Sequence, residues 1–313
     1  MLARNYLIRY FLIAALLHTV VLQSGCATLA PAYYAEEHDN SLTPVEDYRF
    51  SHGRDLAPLD TLGNIISIPN KLLLWDKTIE NHHITPATEH ILKAYLDDHG
   101  LYDVKVRVNQ YAPLGELQRL INNEQVGIGW RVTIGALSVL YYTLFVGRIF
   151  GGDSYNPFTN TISLYSDSIP IALHEGGHAS DFASKKYKGT YAFINAIPFT
   201  SLYFEGVATN NVLEFLNENN AYEEYKRAYE VLFPAYGTYV GGSLIDLRLS
   251  YGPGASDQVL YLAPVLIGHI VGRIKSSRLR REEHKQVSPI NSEQNIPATN
   301  SQEIECCVEG AIR

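Results

Sequence analysis

Apolar and polar positions change period several times along this chain, and each change marks an element. Residues Phe11 to Leu22 are mostly apolar and follow Arg4 and Arg9, and the small residues Ser24 and Gly25 then lead into Cys26. A basic lead-in, a short apolar run and small residues make an export signal, so 1–25 read as a signal peptide. The run is about half of the roughly 20 apolar residues that a bilayer span needs. From 26 to 82, Pro, Asp, Asn and His interrupt short apolar patches, which reads as a tether and an irregular lead-in; His82 and His83 fall there as loop residues. Pro86 to His99 then has helical spacing, with Ile91, Leu92, Tyr95 and Leu96 on one face, Thr85 placed to cap and Gly100 to stop it. Val104, Val106 and Val108 alternate with Lys105 and Arg107, the period of a half-buried strand. Leu114 to Glu124 reads as another amphipathic helix.

Val132 to Gly147 carries no charge, with Tyr141 and Tyr142 near its middle. A helix of that length covers about 24 Å against a hydrocarbon core of about 30 Å, so 132–147 reads as a buried or surface-docked element, with a membrane-inserted segment as the other reading. Gly151 to Pro157 marks a turn, and Thr159 to Tyr165 alternates like a strand. A helix follows, with Asp167 or Ser168 as cap and Pro170 in its first turn. A further helix is expected to extend to Leu216, and Pro234 to Gly242 is a glycine-rich run. The stretch 259–272 is apolar except for His269 and precedes Arg273, Lys275, Arg278, Arg280 and Arg281. It reads as a core helix with a basic end, or as a helix that meets an anionic membrane. The polar residues 279–313 read as a disordered tail.

Composition narrows the picture. With 313 residues and 46% apolar content the chain can bury a core, and a formal charge of −8 gives no field for a phosphate backbone, so no nucleic-acid partner is expected. The 3 cysteines make no disulfide framework, because Cys306 and Cys307 are adjacent and Cys26 stands in the leader. Leu22 to Cys26 resembles a bacterial lipobox, although Gln23 departs from its usual aliphatic or small residue. That resemblance implies a lipidated Cys26 and an envelope protein on the periplasmic side. Ala27, in place of a retention aspartate, points to the outer membrane.

The candidate chemistry is His174, Glu175, Gly176, Gly177, His178. On a helix, residues four apart share a face, so both imidazoles can reach one zinc ion, while Glu175 can take a proton from the hydrolytic water and pass it to the leaving amine. Two glycines inside a helix cost roughly 1 kcal/mol each, which suggests that another backbone packs closely against that turn. A catalytic zinc takes three protein ligands and keeps a position open. Ser184 occupies the place of one known third histidine. Glu205, in Leu202 to Ala208, is the main candidate and Asp181 the rival. A purely structural zinc site, usually rich in cysteine, does not fit.

The pair His-Glu-x-x-His and Glu-Gly-x-Ala, in this order, resembles the gluzincin group of zinc metallopeptidases over about Thr159 to Leu216. The resemblance implies an α+β zincin-like domain over 83–278, with an active-site helix beside a small mixed sheet. It implies one catalytic Zn2+ held by His174, His178 and Glu205, Glu175 as general base and acid, and Thr159 to Tyr165 as the edge strand that pairs with a peptide or protein substrate. Where many gluzincins have an aspartate one turn after the glutamate ligand, this chain has Thr209. Tyr236, Tyr239 and His269 are candidates for the oxyanion donor. The reading from another class is a zincin-like lipoprotein that has lost turnover and serves as an envelope binding or assembly factor.

Overall fold

The computed structural model describes residues 42–150, 152–195, 197, 199–249 and 257–287. The signal peptide, Cys26, Cys306 and Cys307 lie outside them. The chain is a mostly helical α+β fold around one four-stranded mixed sheet.

The sheet is built from β1 (Phe50–His52), β2 (Lys105–Val108), β3 (Ser154–Asn156) and β4 (Thr161–Leu164), in the order β1-β2-β4-β3. β1, β2 and β4 run parallel, and β3 pairs antiparallel with β4 at the edge. Two sequence expectations change here. The lead-in before His83 is not all irregular, since it supplies β1 and the helices α1 (Ala57–Ile66) and α2 (Ile68–Leu74). The strand expected over Thr159 to Tyr165 is inner rather than at the edge, because the tight turn at Asn160, whose φ is 52°, folds β3 back along it.

β2 is covered on both faces rather than half-exposed. Helix α3 (Pro86–Asp98) packs on one side, where Leu92, Tyr95, Leu96, Val106, Ile162 and Leu164 join one core. On the other, α4 (Pro113–Asn122) brings Glu116 within 2.6 Å of Arg107, and both side chains are buried. Asp167 is not the cap of the helix that follows it. Its carboxylate instead accepts hydrogen bonds from the Thr85 amide and from the Thr85 and Thr88 hydroxyls, at 3.0, 2.8 and 2.7 Å, and so serves the start of α3.

The chain continues through α5 (Ile128–Trp130), a π-helical turn (Arg131–Gly135), α6 (Ala136–Leu144) and α7 (Gly147–Phe150). Of the uncharged stretch 132–147, Gly135, Val139 and Gly147 are buried, while Leu137, Leu140, Tyr141 and Leu144 are exposed. Then come α8 (Ile169–Ala183), α9 (Lys188–Asn195), α10 (Thr200–Glu218), α11 (Tyr222–Leu249) and α12 (Asp257–Val287). α12 runs through the apolar stretch 259–272 and into the first residues of the expected tail.

Pro234, Gly237, Gly241 and Gly242 lie inside α11, which sequence punctuation did not suggest as a helix. The reason is contact. A Cβ on Gly237 would stand 2.6 Å from the Pro264 carbonyl of α12, and one on Gly241 2.5 Å from that of Tyr261. From the other side, a Cβ on Gly268 would meet the Phe233 carbonyl at 2.4 Å, and one on Gly272 that of Tyr229 at 2.2 Å. Glycine at these places lets two backbones touch, and the packing offsets the weak helix propensity.

Glu80 gives the fold a pH signature. Burial pushes its carboxyl up to about 7, with the neighbouring Asp153 adding to the effect and the Asn70 amide and Lys71 opposing it. A raised folded-state pKa means that the native chain holds the proton longer than the unfolded one. This contribution is complete below about pH 4.5 and is lost as pH rises through 7. Glu80→Gln keeps the acceptor for Asn70 and removes the charge. The variant should match wild type in thermal unfolding at pH 4 and exceed it at pH 8 by about 3 kcal/mol; an equal gain at both pH values would exclude the assigned cause.

Candidate metal centre

His174 and His178 leave the same face of α8, with ring centroids 4.7 Å apart and planes at 83°. α10 packs against this face and presents Glu205 from its second turn. His174 Nε2 lies 2.9 Å from Glu205 Oε2, and His178 Nε2 lies 3.5 Å from Glu205 Oε1. One donor atom from each of the three residues falls within 4.8 Å of the others, and all three residues are buried. This is a group that can hold a metal ion.

The chemistry of the donors fits zinc. Two imidazole nitrogens and one carboxylate oxygen are a donor set that zinc accepts while keeping a position open. Glu205 is a buried carboxylate whose ion pairs, among the described residues, are with these two imidazoles. Burial acts to raise its pKa, but the hydrogen bonds to His174 and His178 prevail and hold it at about 2. The two histidines part company. Burial lowers His174 below its ordinary value, whereas for His178 the opposing hydrogen bond to Glu205 and the nearby carboxylates of Glu175 and Asp181 outweigh burial and raise it. His174 Nδ1 is buried without a hydrogen-bond partner, in the chain that has Thr209 in place of an orienting carboxylate.

Glu175 is 7% exposed and belongs to the same pocket. Burial pushes its carboxyl up to about 8; Glu205 and Asp153 add to this, while His178 and the backbone N–H of Tyr155 on β3 oppose it. The motif helix and the true edge strand therefore meet at this carboxyl. Neither Tyr155 nor Asp153 was singled out from the sequence. The hairpin that carries them, with polar Asn156 and Asn160 flanking a short loop, was the available signal.

The two motif glycines have separate work. A Cβ on Gly176 would meet the ring of Tyr95 at 2.9 Å, and one on Gly177 would stand 2.8 Å from the Ala208 carbonyl oxygen and 3.1 Å from its Cα. Gly177 is thus the point where α8 and α10 approach backbone to backbone, and Asn211 Nδ2 donates to the Gly177 carbonyl at 3.3 Å beside it. Ala208 lies one turn from Glu205, so forcing it away moves the carboxylate. Gly177→Ala should weaken metal binding roughly 10- to 100-fold, in the range for residues that position ligands. Titration of metal into the variant, beside a circular dichroism spectrum like that of wild type, is the check.

The remaining candidates separate. Asp181 points to α9: its carboxylate accepts from Tyr191 at 2.7 Å and pairs with Lys185 at 2.8 Å. Tyr239 does belong to the pocket, since Glu205 and Glu175 both raise its pKa beyond the effect of burial and its hydroxyl bonds to Glu205. Tyr236 stands nearby on α11, raised by burial and by Glu205. His269 is elsewhere. It stacks on Trp75 at 3.8 Å between ring centroids, and its Nε2 lies 2.9 Å from the Leu73 carbonyl, so it is no oxyanion donor. His82 bonds to Asn109 at 3.0 Å and takes no part in the His174 group. No family model, curated protein or solved structure matches the chain.

Proposed function

We propose that the chain is a zinc-dependent metallopeptidase of the gluzincin type that works at the bacterial cell envelope. The observation that carries this reading is the convergence of His174, His178 and Glu205 in one buried group, with Glu175 on the same helix turn. His174, His178 and Glu205 would hold one Zn2+, and the ion supplies a Lewis acid that polarises the scissile carbonyl and acidifies water. Glu175 takes a proton from the attacking water and delivers it to the departing amine. Its buried position keeps the proton at that carboxyl between the two transfers.

The edge strand β3 offers a free side for pairing with an extended peptide, and Tyr155 stands there beside Glu175. Tyr239 is placed to donate from its hydroxyl to the oxyanion as it forms, with Tyr236 behind it. Substrates are peptides or proteins of the envelope. Lipidation at Cys26 would tether the domain on the periplasmic side, at the outer membrane.

The first test is metal content. The wild-type chain, purified without added metal, should carry close to one zinc per chain by elemental analysis, and His174→Ala should carry almost none. Absence of zinc in wild type even after reconstitution would reduce the motif to coincidence.

A further inference from the structure

The second face of interest lies on α12. By length and composition Asp257–Leu279, 23 residues with a mean hydropathy of 1.3, is the helix among the described residues that could cross a membrane, and 28% of its apolar window is buried. Its inner side is fixed to α11 through the glycine contacts already described. Its outer side carries Val259, Leu262, Leu266, Ile267, Ile270 and Ile274, which are 44 to 65% exposed. At about 100° per residue these six fall within an arc of about 140°, and the stripe runs about 22 Å along the helix.

Three observations say what covers it. The stripe ends at Arg273 and Arg278, both exposed, and Lys275, and the sequence from Gln258 to Arg281 has no acidic residue although the chain as a whole carries −8. Trp75, 56% exposed, stands on the flank of the stripe: it stacks on His269, and the Arg273 guanidinium lies 4.6 Å over its ring. An indole beside an arginine at the border of an apolar face is the arrangement of a side chain at a lipid headgroup boundary. Third, the one polar group of the apolar run, His269, is turned inward and satisfied by the Leu73 carbonyl, so the outer face is free of it.

We infer that the outer face of α12, bordered by Trp75 and the basic cluster, docks flat on an anionic lipid bilayer. A spanning orientation is unsuited to the helix, because its last turns are bound to charged parts of the fold. Ser276 donates to Glu230 at 2.8 Å, and Arg227 beside Glu230 pairs with Asp76 at 3.3 Å; a span would carry these groups into hydrocarbon. Flat docking buries the apolar side alone, about 5–10 Å deep, and sets the cations among phosphates. Tyr261, near the start of α12, neighbours Tyr239 of the metal pocket, so the docked face lies one helix layer from the site. Docking does not depend on what the metal pocket does.

The chain has 2 tryptophans, Trp75 and Trp130, so Trp130→Phe leaves Trp75 as the sole reporter. The full chain is mixed with vesicles of acyl-brominated phosphatidylcholine and a minor fraction of phosphatidylglycerol. Bromine should quench Trp75 roughly twofold. Leu266→Glu with Ile270→Glu, both at exposed positions, should abolish the quenching even while the N-terminal segment holds the chain to vesicles, and Arg278→Glu should reduce it. Unquenched Trp75 in vesicle-bound chain would overturn the proposal, as would quenching that is unchanged in the double variant or equal without phosphatidylglycerol. Self-association through this face would show as unquenched Trp75 with a doubled mass that the double variant loses, and would overturn it too. Zinc content is not read, so failure here leaves the peptidase reading intact.

Discussion

Glu175→Gln should lower peptide hydrolysis by about 10² to 10⁴-fold, the range for removal of a positioned general acid–base group, while zinc content stays at the wild-type level. Gln has the shape of Glu and can still accept from the Tyr155 N–H, so the helix turn and the edge strand keep their relation. His174, His178 and Glu205 are untouched, which is why metal is retained. What is lost is the capacity to take up and release a proton beside the scissile bond. The expected signature is a fall in kcat with little change in KM, because substrate pairing along β3 does not use the carboxyl's charge. Turnover equal to wild type in Glu175→Gln would remove the mechanism. Wild-type chain that holds zinc yet cleaves no peptide, with Glu175→Gln fully replacing it in cells, would point to an envelope binding role.

The site was more legible in the sequence than the fold that holds it. His174 and His178 could be paired from helix periodicity alone, and Gly176 with Gly177 already implied a close neighbour, which is the backbone at Ala208 and the ring of Tyr95. Glu205 lay on a recognisable motif, although α10 begins five residues before it rather than at it. What sequence reasoning missed is long-range. Pro234 and the α11 glycines look like breakers until α12 lies against them. Asp167 looks like a local cap, yet its partners are Thr85 and Thr88 of a distant helix. Arg107 marks a solvent face only until Glu116 covers it. In each case local chemistry was read correctly for an isolated segment, and tertiary contact changed its use. The edge strand follows the same rule, since three residues of β3 have too little pattern to be seen without their partner β4.

Glu205→Ala should lose metal and Asp181→Ala should keep it, and this pair separates a ligand from a neighbouring carboxylate. Both residues are buried acids on the helices that build the site, and both influence His178. Their bonds differ. Asp181 is already engaged by Lys185 and the Tyr191 hydroxyl on the side away from the imidazoles, so its removal disturbs α9 and leaves the donor atoms in place. Glu205 contacts both imidazoles, and without it two nitrogens alone remain to hold the ion. Residues that only position ligands change metal affinity about 10- to 100-fold when replaced, so loss of a direct ligand should exceed a hundredfold. Isothermal titration of zinc into metal-free protein measures both variants on one scale. Metal binding of wild-type strength in Glu205→Ala would show that the third ligand is another residue, and the inference from His174, His178 and Glu205 to a gluzincin-type centre would fail with it.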